Sequence, residues 1–178
     1  EFIHRNKNAE DKHPLSVVGV LRKVDTPSVL FFLGILLAVS SLATAGHLTQ
    51  VATALRESLG HIYAINYAIG LLSAVVDNVP LVAGAMKMYP LVSEKMLAAT
   101  AAEELGWMSQ FVVDGNFWEM LAYCAGTGGS CLIIGSAAGV AAMGMEKINF
   151  IWYLKKISGL AFIGYLAGAG TYMLLFAA

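Results

Sequence analysis

The stretch Ser73-Ala-Val-Val-Asp-Asn-Val-Pro80 gathers residue types that can hold a small cation. Asp77 is a carboxylate, Asn78 a carboxamide, and no other charged side chain occurs between Ile62 and Met86. An ionised Asp at the centre of a bilayer costs about 2.5–3.5 kcal/mol on insertion scales, so a membrane chain keeps one where it faces water, an ion or a partner. Pro80 has no N–H and crowds the preceding turn, so the spacing predicts that a helix arriving from Tyr63 breaks near 77–79. A break leaves carbonyls and amides unpaired beside the carboxylate. Such backbone is tolerated at membrane depth only against protein or a water-filled cavity. Ser73, four residues before Asp77, shares its face in a continuous helix and adds an oxygen. Hard cations take several oxygen ligands, and broken helices supply carbonyls for Na⁺. Burial raises a carboxylate pKa while a bound cation lowers it, so Asp77 can exchange a proton for Na⁺. The plainer alternative is a protonated structural Asp bonded to a neighbour. The coincidence of break, carboxylate and carboxamide favours a cation- or proton-binding tip at mid-membrane.

A second candidate is Gly126-Thr-Gly-Gly-Ser130. Glycine weakens a helix by about 1 kcal/mol relative to Ala, so the apolar run 117–145 is expected to split into half-helices at 118–125 and 132–143. Neither a dinucleotide fingerprint nor a P-loop fits: Cys131 stands where the last glycine would be, and no Gly-Lys-Ser/Thr follows. Glycine for close packing is one reading. The functional one is a second broken-helix site offering Thr127, Ser130 and backbone carbonyls to the same ion, with Ser136 as a further lining residue. An enzyme is not expected. There is no Gly-x-Ser-x-Gly elbow, and a two-Asp intramembrane protease needs a second membrane carboxylate. Nor do the four histidines form a metal-spaced pair, and no cofactor is called for.

These residues need elements to hold them, and composition says which kind. The 178 residues are 58% hydrophobic and only 13% charged, with mean hydropathy +0.69; soluble domains are about a quarter charged. An all-α membrane protein follows, and a net charge of −1 gives no footprint for nucleic acid. No signal peptide is recognisable in the first residues, and a chain starting at Glu1 reads as a fragment or one half of a longer polytopic protein. Residues 1–27 form a polar N-terminal segment, with an amphipathic helix expected over 15–24 and a cytoplasmic side set by its Lys and Arg. Residues 28–178 form the transmembrane domain. The run 28–46 is an uncharged span of about 28 Å, and 47–60 has the spacing of an amphipathic interfacial helix. The run 62–88 is either one bent span or a re-entrant hairpin. The loop 146–156, with Lys147, Lys155 and Lys156, is expected to be cytoplasmic, and 157–176 is the last span, carrying Gly164-x-x-x-Gly168. The topology closes as in, out, hairpin from outside, in, out. Cys124 and Cys131 are too far apart in a continuous helix to bridge and read as small buried hydrophobes.

The strings Ser73-Ala-Val-Val-Asp-Asn-Val-Pro-Leu-Val-Ala-Gly-Ala-Met-Lys-Met-Tyr-Pro90 and Gly126-Thr-Gly-Gly-Ser-Cys-Leu-Ile-Ile-Gly-Ser-Ala-Ala-Gly139 closely resemble the second half of NhaD-type sodium/proton antiporters, and Val24-Asp-Thr-Pro-Ser-Val-Leu-Phe-Phe-Leu-Gly-Ile-Leu-Leu-Ala-Val39 reads like the same family. The resemblance runs in order over about residues 20–176. These antiporters belong to the ion transporter superfamily, alongside dicarboxylate and arsenite carriers. It implies two inverted repeats, each giving a re-entrant hairpin and a discontinuous helix that meet at mid-membrane. Asp77-Asn78 would be the hairpin tip of the second repeat and 126–130 the break in its discontinuous helix. Asp77, Asn78 and Ser73 would be Na⁺ ligands, Thr127 and Ser130 further candidates, and the function Na⁺(Li⁺)/H⁺ antiport by alternating access. The first repeat is absent, so a missing N-terminal repeat or a second copy of the chain must complete the site. A homodimer in the bacterial inner membrane is the expectation. The alternatives are an organic-anion or arsenite carrier of the same superfamily, or a structural membrane subunit that transports nothing.

Overall fold

The computed structural model describes Val17 and residues 26–176, and every regular element among them is helical. Apart from Val17, the expected amphipathic helix at 15–24 lies outside the described residues. The chain divides into two units, 1–37 and 38–178. Helix α1, Thr26–Thr44, passes through that boundary. Its 19 uncharged residues overlap the expected run 28–46, and its leading residues Val29 to Leu33 are exposed.

The second unit continues with α2 (His47–Leu59), α3 (Ile62–Leu72), α4 (Asn78–Met88), α5 (Glu94–Ala98), α6 (Ala102–Met108), α7 (Asn116–Gly128), α8 (Ala137–Met145), α9 (Phe150–Lys156) and α10 (Ser158–Phe176). Single 3₁₀ turns occupy Ser109–Phe111, Gly129–Cys131 and Ile133–Gly135. Helix α2 buries Leu48 and Ala52 and exposes Gln50, Arg56 and Glu57, as its spacing requires. It stops because Gly60 turns left-handed (φ 67°) and returns its N–H to the Arg56 carbonyl at 2.8 Å. The 146–156 segment, expected as a loop, is helical from Phe150. Asn149 starts it by accepting from the Ile151 and Trp152 amides at 2.8 and 3.3 Å.

The core is the contact between α3 and α7, with Ile62, Ile65 and Ile69 set against Phe117, Met120, Leu121 and Cys124. The order of contacts gives the directions. Asn116 donates to the Tyr63 hydroxyl, Asn66 donates to the Phe117 carbonyl, and Ser73 donates to the Ala125 carbonyl. Helices α3 and α7 therefore run the same way. Helix α10 runs against both: Tyr172 donates to Glu119, Tyr123 donates to the carbonyls of Gly164 and Tyr165, and Tyr165 donates to the Tyr67 carbonyl. It buries a narrow stripe, Tyr165 and Ala169, while Leu160, Ile163, Leu166 and Leu174 stay exposed. It is by itself long and apolar enough to cross a membrane.

Helix α4 turns back. Tyr89, just past its end, packs on Phe117 at 4.8 Å and Phe111 at 5.2 Å, beside the start of α7. The two arms α3 and α4 thus begin and end near the same end of α7. Between them and α2 lies an apolar cavity of about 370 Å³, walled by Leu48, Leu55, Ala68, Leu72, Leu81 and Met88. Cys124 and Cys131 are both free and buried, as expected.

Candidate functional site

Two interruptions define the site, and both fall a few residues from where sequence spacing puts them. Helix α3 ends at Leu72, and Ser73–Asp77 is a turn. Pro80 does not break a helix: it is the third residue of α4, in the first turn, where a missing N–H costs nothing. Asp77 begins that helix, accepting from the Val79 amide at 3.4 Å. The shared helical face expected for Ser73 and Asp77 does not exist, because the chain between them is not helical. In the second run, α7 continues through Gly126, Thr127 and Gly128 and gives way at Gly129. The break extends over 129–136, with Leu132 and Ser136 extended and Ser136 capping α8 through the Gly139 amide at 3.1 Å.

The fold brings these two breaks together. Ser73 is fully buried, and its Oγ donates to the Ala125 carbonyl at 2.8 Å, in the last turn of α7. A Cβ on Gly135 would lie 2.6 Å from the Ser73 carbonyl and 2.7 Å from that of Ala74, and one on Gly129 would lie 3.4 Å from Ser73 Oγ. Because α3 and α7 run in the same direction and stop at one level, their carboxyl ends converge there. Each such end carries about half a unit of negative charge. No Lys, Arg or His occurs in either break, 73–80 or 128–136.

Asp77 and Asn78 are half-buried, Thr127 is half-buried, and Ser130 is exposed. Among the described residues no hydrogen bond joins Asp77 or Asn78 to Thr127 or Ser130. Thr127 Oγ1 donates within its own helix, to the Tyr123 carbonyl at 2.6 Å. Nor do three His, Cys, Asp or Glu side chains converge on a metal site among the described residues. A cation at Asp77 would therefore draw its remaining ligands from neutral oxygens. Ser73→Ala removes a buried hydrogen bond to the Ala125 carbonyl and is expected to lower stability by about 1 kcal/mol. An SDS unfolding midpoint of the purified full-length protein reads this, and an unchanged midpoint would show another donor taking the carbonyl.

Three polar residues escaped sequence reasoning. Asn66, fully buried seven residues before Ser73, faces α7; its Oδ1 has no partner. A carboxamide inside an apolar run was the available signal. Tyr165 and Tyr153 send their hydroxyls to the Tyr67 and Ser130 carbonyls, at 3.0 and 2.8 Å, and a tyrosine in an apolar run gives no sign of such a reach. Burial, and then neighbouring Cys131, push the Tyr153 phenol up, so it remains a donor.

The model of the citrate transporter family, CitMHS, matches residues 12–111, more than half of the chain. The chain belongs to the citrate transporter family. The matched part of this CitMHS member holds Asp77 and Asn78 and stops short of Gly126. Its relatives carry a different substrate in their names. Sodium/proton antiporter 1 of Arabidopsis thaliana is 48% identical over 173 residues, 97% of this chain and 27% of that protein. Sodium/proton antiporter 2 of the same plant is 45% identical over 163 residues, 92% of this chain and 35% of that protein. The Na⁺/H⁺ antiporter NhaD of Vibrio cholerae is 33% identical over 164 residues, 91% of this chain and 30% of that protein. The CitMHS member thus spans about a third or less of the length of these curated relatives. No solved structure matches it. Family and relatives bear transporter names, not those of enzymes, and the chain is that of a membrane protein.

Proposed function

We propose that this chain supplies one repeat of a Na⁺(Li⁺)/H⁺ antiporter, in which Asp77 carries either a proton or the cation. The observation that carries the reading is the meeting of two same-direction helix ends, joined by the Ser73–Ala125 bond, beside the turn that bears Asp77. Two converging carboxyl ends and the unpaired carbonyls of a break favour a cation. Asp77 has one long hydrogen bond, leaving most of its acceptor capacity for an ion. The names of the similar antiporters support the same substrates.

In this reading α3 and α4 form a re-entrant hairpin. Each has 11 residues, about 16 Å, half of a hydrocarbon core of about 30 Å, so the tip lies near mid-membrane. Helices α7 and α8 are the halves of a discontinuous span, and α10 crosses in the opposite sense. The chain belongs to the C-terminal half of an alternating-access transporter, completed by a preceding repeat or a second copy, with a homodimer as the assembly and its N-terminal segment cytoplasmic. The plant relatives are more similar than the bacterial one, so identity does not single out a bacterial inner membrane.

The family name favours a second reading, a citrate or other organic-anion carrier. A multiply charged anion wants fixed cations around it, and both breaks lack them. The test is the full-length protein in liposomes carrying a proton gradient. Na⁺ or Li⁺ is expected to dissipate the gradient, and citrate in K⁺ medium to leave it standing. Citrate uptake with no response to Na⁺ or Li⁺ would overturn the antiport reading.

A further inference from the structure

We propose that Tyr153 is a latch on the second break, a phenol that holds the Ser130 carbonyl until a cation displaces it. The inference rests on the antiport reading and adds to it a residue that regulates the same site. Two carbonyls, one in the last turn of α7 and one in the 3₁₀ turn that follows it, are taken by hydroxyls from other elements: Ala125 by Ser73, and Ser130 by Tyr153 at 2.8 Å. The two bonds differ in setting. Ser73 is sealed in the core, whereas the Tyr153 bond lies at an exposed edge. The elements behind them differ as well. Helix α9 has seven residues and buries none of them, and Ile151 and Trp152 are each 51% exposed. The turn before it places Lys147 at φ 51°, a left-handed conformation that costs a non-glycine residue. Little packing therefore opposes a swing of Tyr153 away from the break.

The carbonyl it holds follows two glycines and stands two residues before the extended Leu132, so it is one of the acceptors that the break withdraws from α-helical pairing. A carbonyl oxygen has two lone pairs, but a cation on one repels the partly positive phenol hydrogen on the other, so each weakens the other's hold. Cation binding and latch opening are thus coupled, and the coupling is reciprocal: the free energy that the phenol bond contributes is lost from cation affinity.

The test is Tyr153→Phe in the full-length protein, reconstituted in liposomes, with the apparent KM for Na⁺ and Li⁺ read from dissipation of a proton gradient. A net hydrogen bond corresponds to a fall in KM of roughly three- to tenfold, with the maximal rate little changed. Tyr172→Phe, which removes a phenol bonded to Glu119 at 2.7 Å away from both breaks, is expected to leave KM where it is. A second reading in detergent, the NaCl concentration at which the melting temperature begins to rise, should move down for Tyr153→Phe by the same factor. An unchanged or raised KM with an unshifted NaCl dependence would overturn the latch while leaving antiport intact. A wild-type protein with no Na⁺ or Li⁺ response would overturn the antiport reading, and the latch with it.

Discussion

Asp77→Asn in the full-length protein is expected to reduce Na⁺- and Li⁺-dependent proton flux to the level of empty liposomes. The substitution removes charge and a titratable proton while keeping shape. An Asn side chain still presents an oxygen to the Val79 amide, and Asn is as good a helix-starting residue as Asp. The start of α4 should therefore survive, and with it the turn that forms the first break. What is lost is the only formal negative charge in 62–86. A cation held by carbonyls, a carboxamide and hydroxyls alone has no partner whose protonation can alternate with its binding, so exchange stops even where binding persists. The measurement is the Na⁺-induced change in an imposed pH gradient, made alongside the melting temperature. Flux that survives at an unchanged melting temperature would remove Asp77 from the carrier role.

The second large effect is on folding. Gly128→Ala is expected to abolish most of the folded protein, at a cost of about 3 kcal/mol or more, the upper end for overpacking. A Cβ at that position would run into the carbonyl oxygen of Gly70, with the Gly70 Cα 3.0 Å away. Both obstacles are backbone, so no side chain can swing aside. The reverse face is as tight, since a Cβ on Gly70 would lie 2.7 Å from the Cys124 carbonyl. This close crossing brings α3 and α7 near enough for Ser73 to reach Ala125. Gly126→Ala provides the comparison, because nothing lies within 4 Å of its Cβ and Ala is the better helix former. The monodisperse fraction on size exclusion should collapse for the first variant and hold for the second. Equal yields would show that the two helices cross with room to spare.

That contrast marks where sequence reading stops. Glycines 126, 128 and 129 look alike in the chain, and a propensity argument weights them equally. It therefore places the break at the first of them. In the fold α7 runs on to Gly128, because packing against α3 stabilises turns that propensity alone would forfeit. The same holds for Pro80. Its effect on a preceding helix was sound, but the helix had already ended at Leu72, and the ring falls in a first turn that tolerates it. Breaks were legible as events within a few residues, and their positions were not.

The sequence by itself determined the all-helical, apolar character of the chain, the amphipathic α2 and the isolation of one carboxylate in an apolar run. Composition and periodicity are local properties, so single-chain reasoning reaches them. The tertiary structure alone decided that α3 and α7 run the same way, that their interrupted ends meet at one level, and that Ser73 spends its hydrogen on Ala125 while Tyr153 reaches Ser130. Those are pairings between residues 23 to 52 positions apart. Their partners are backbone carbonyls, which every residue possesses, so no side-chain pattern in the sequence can single them out.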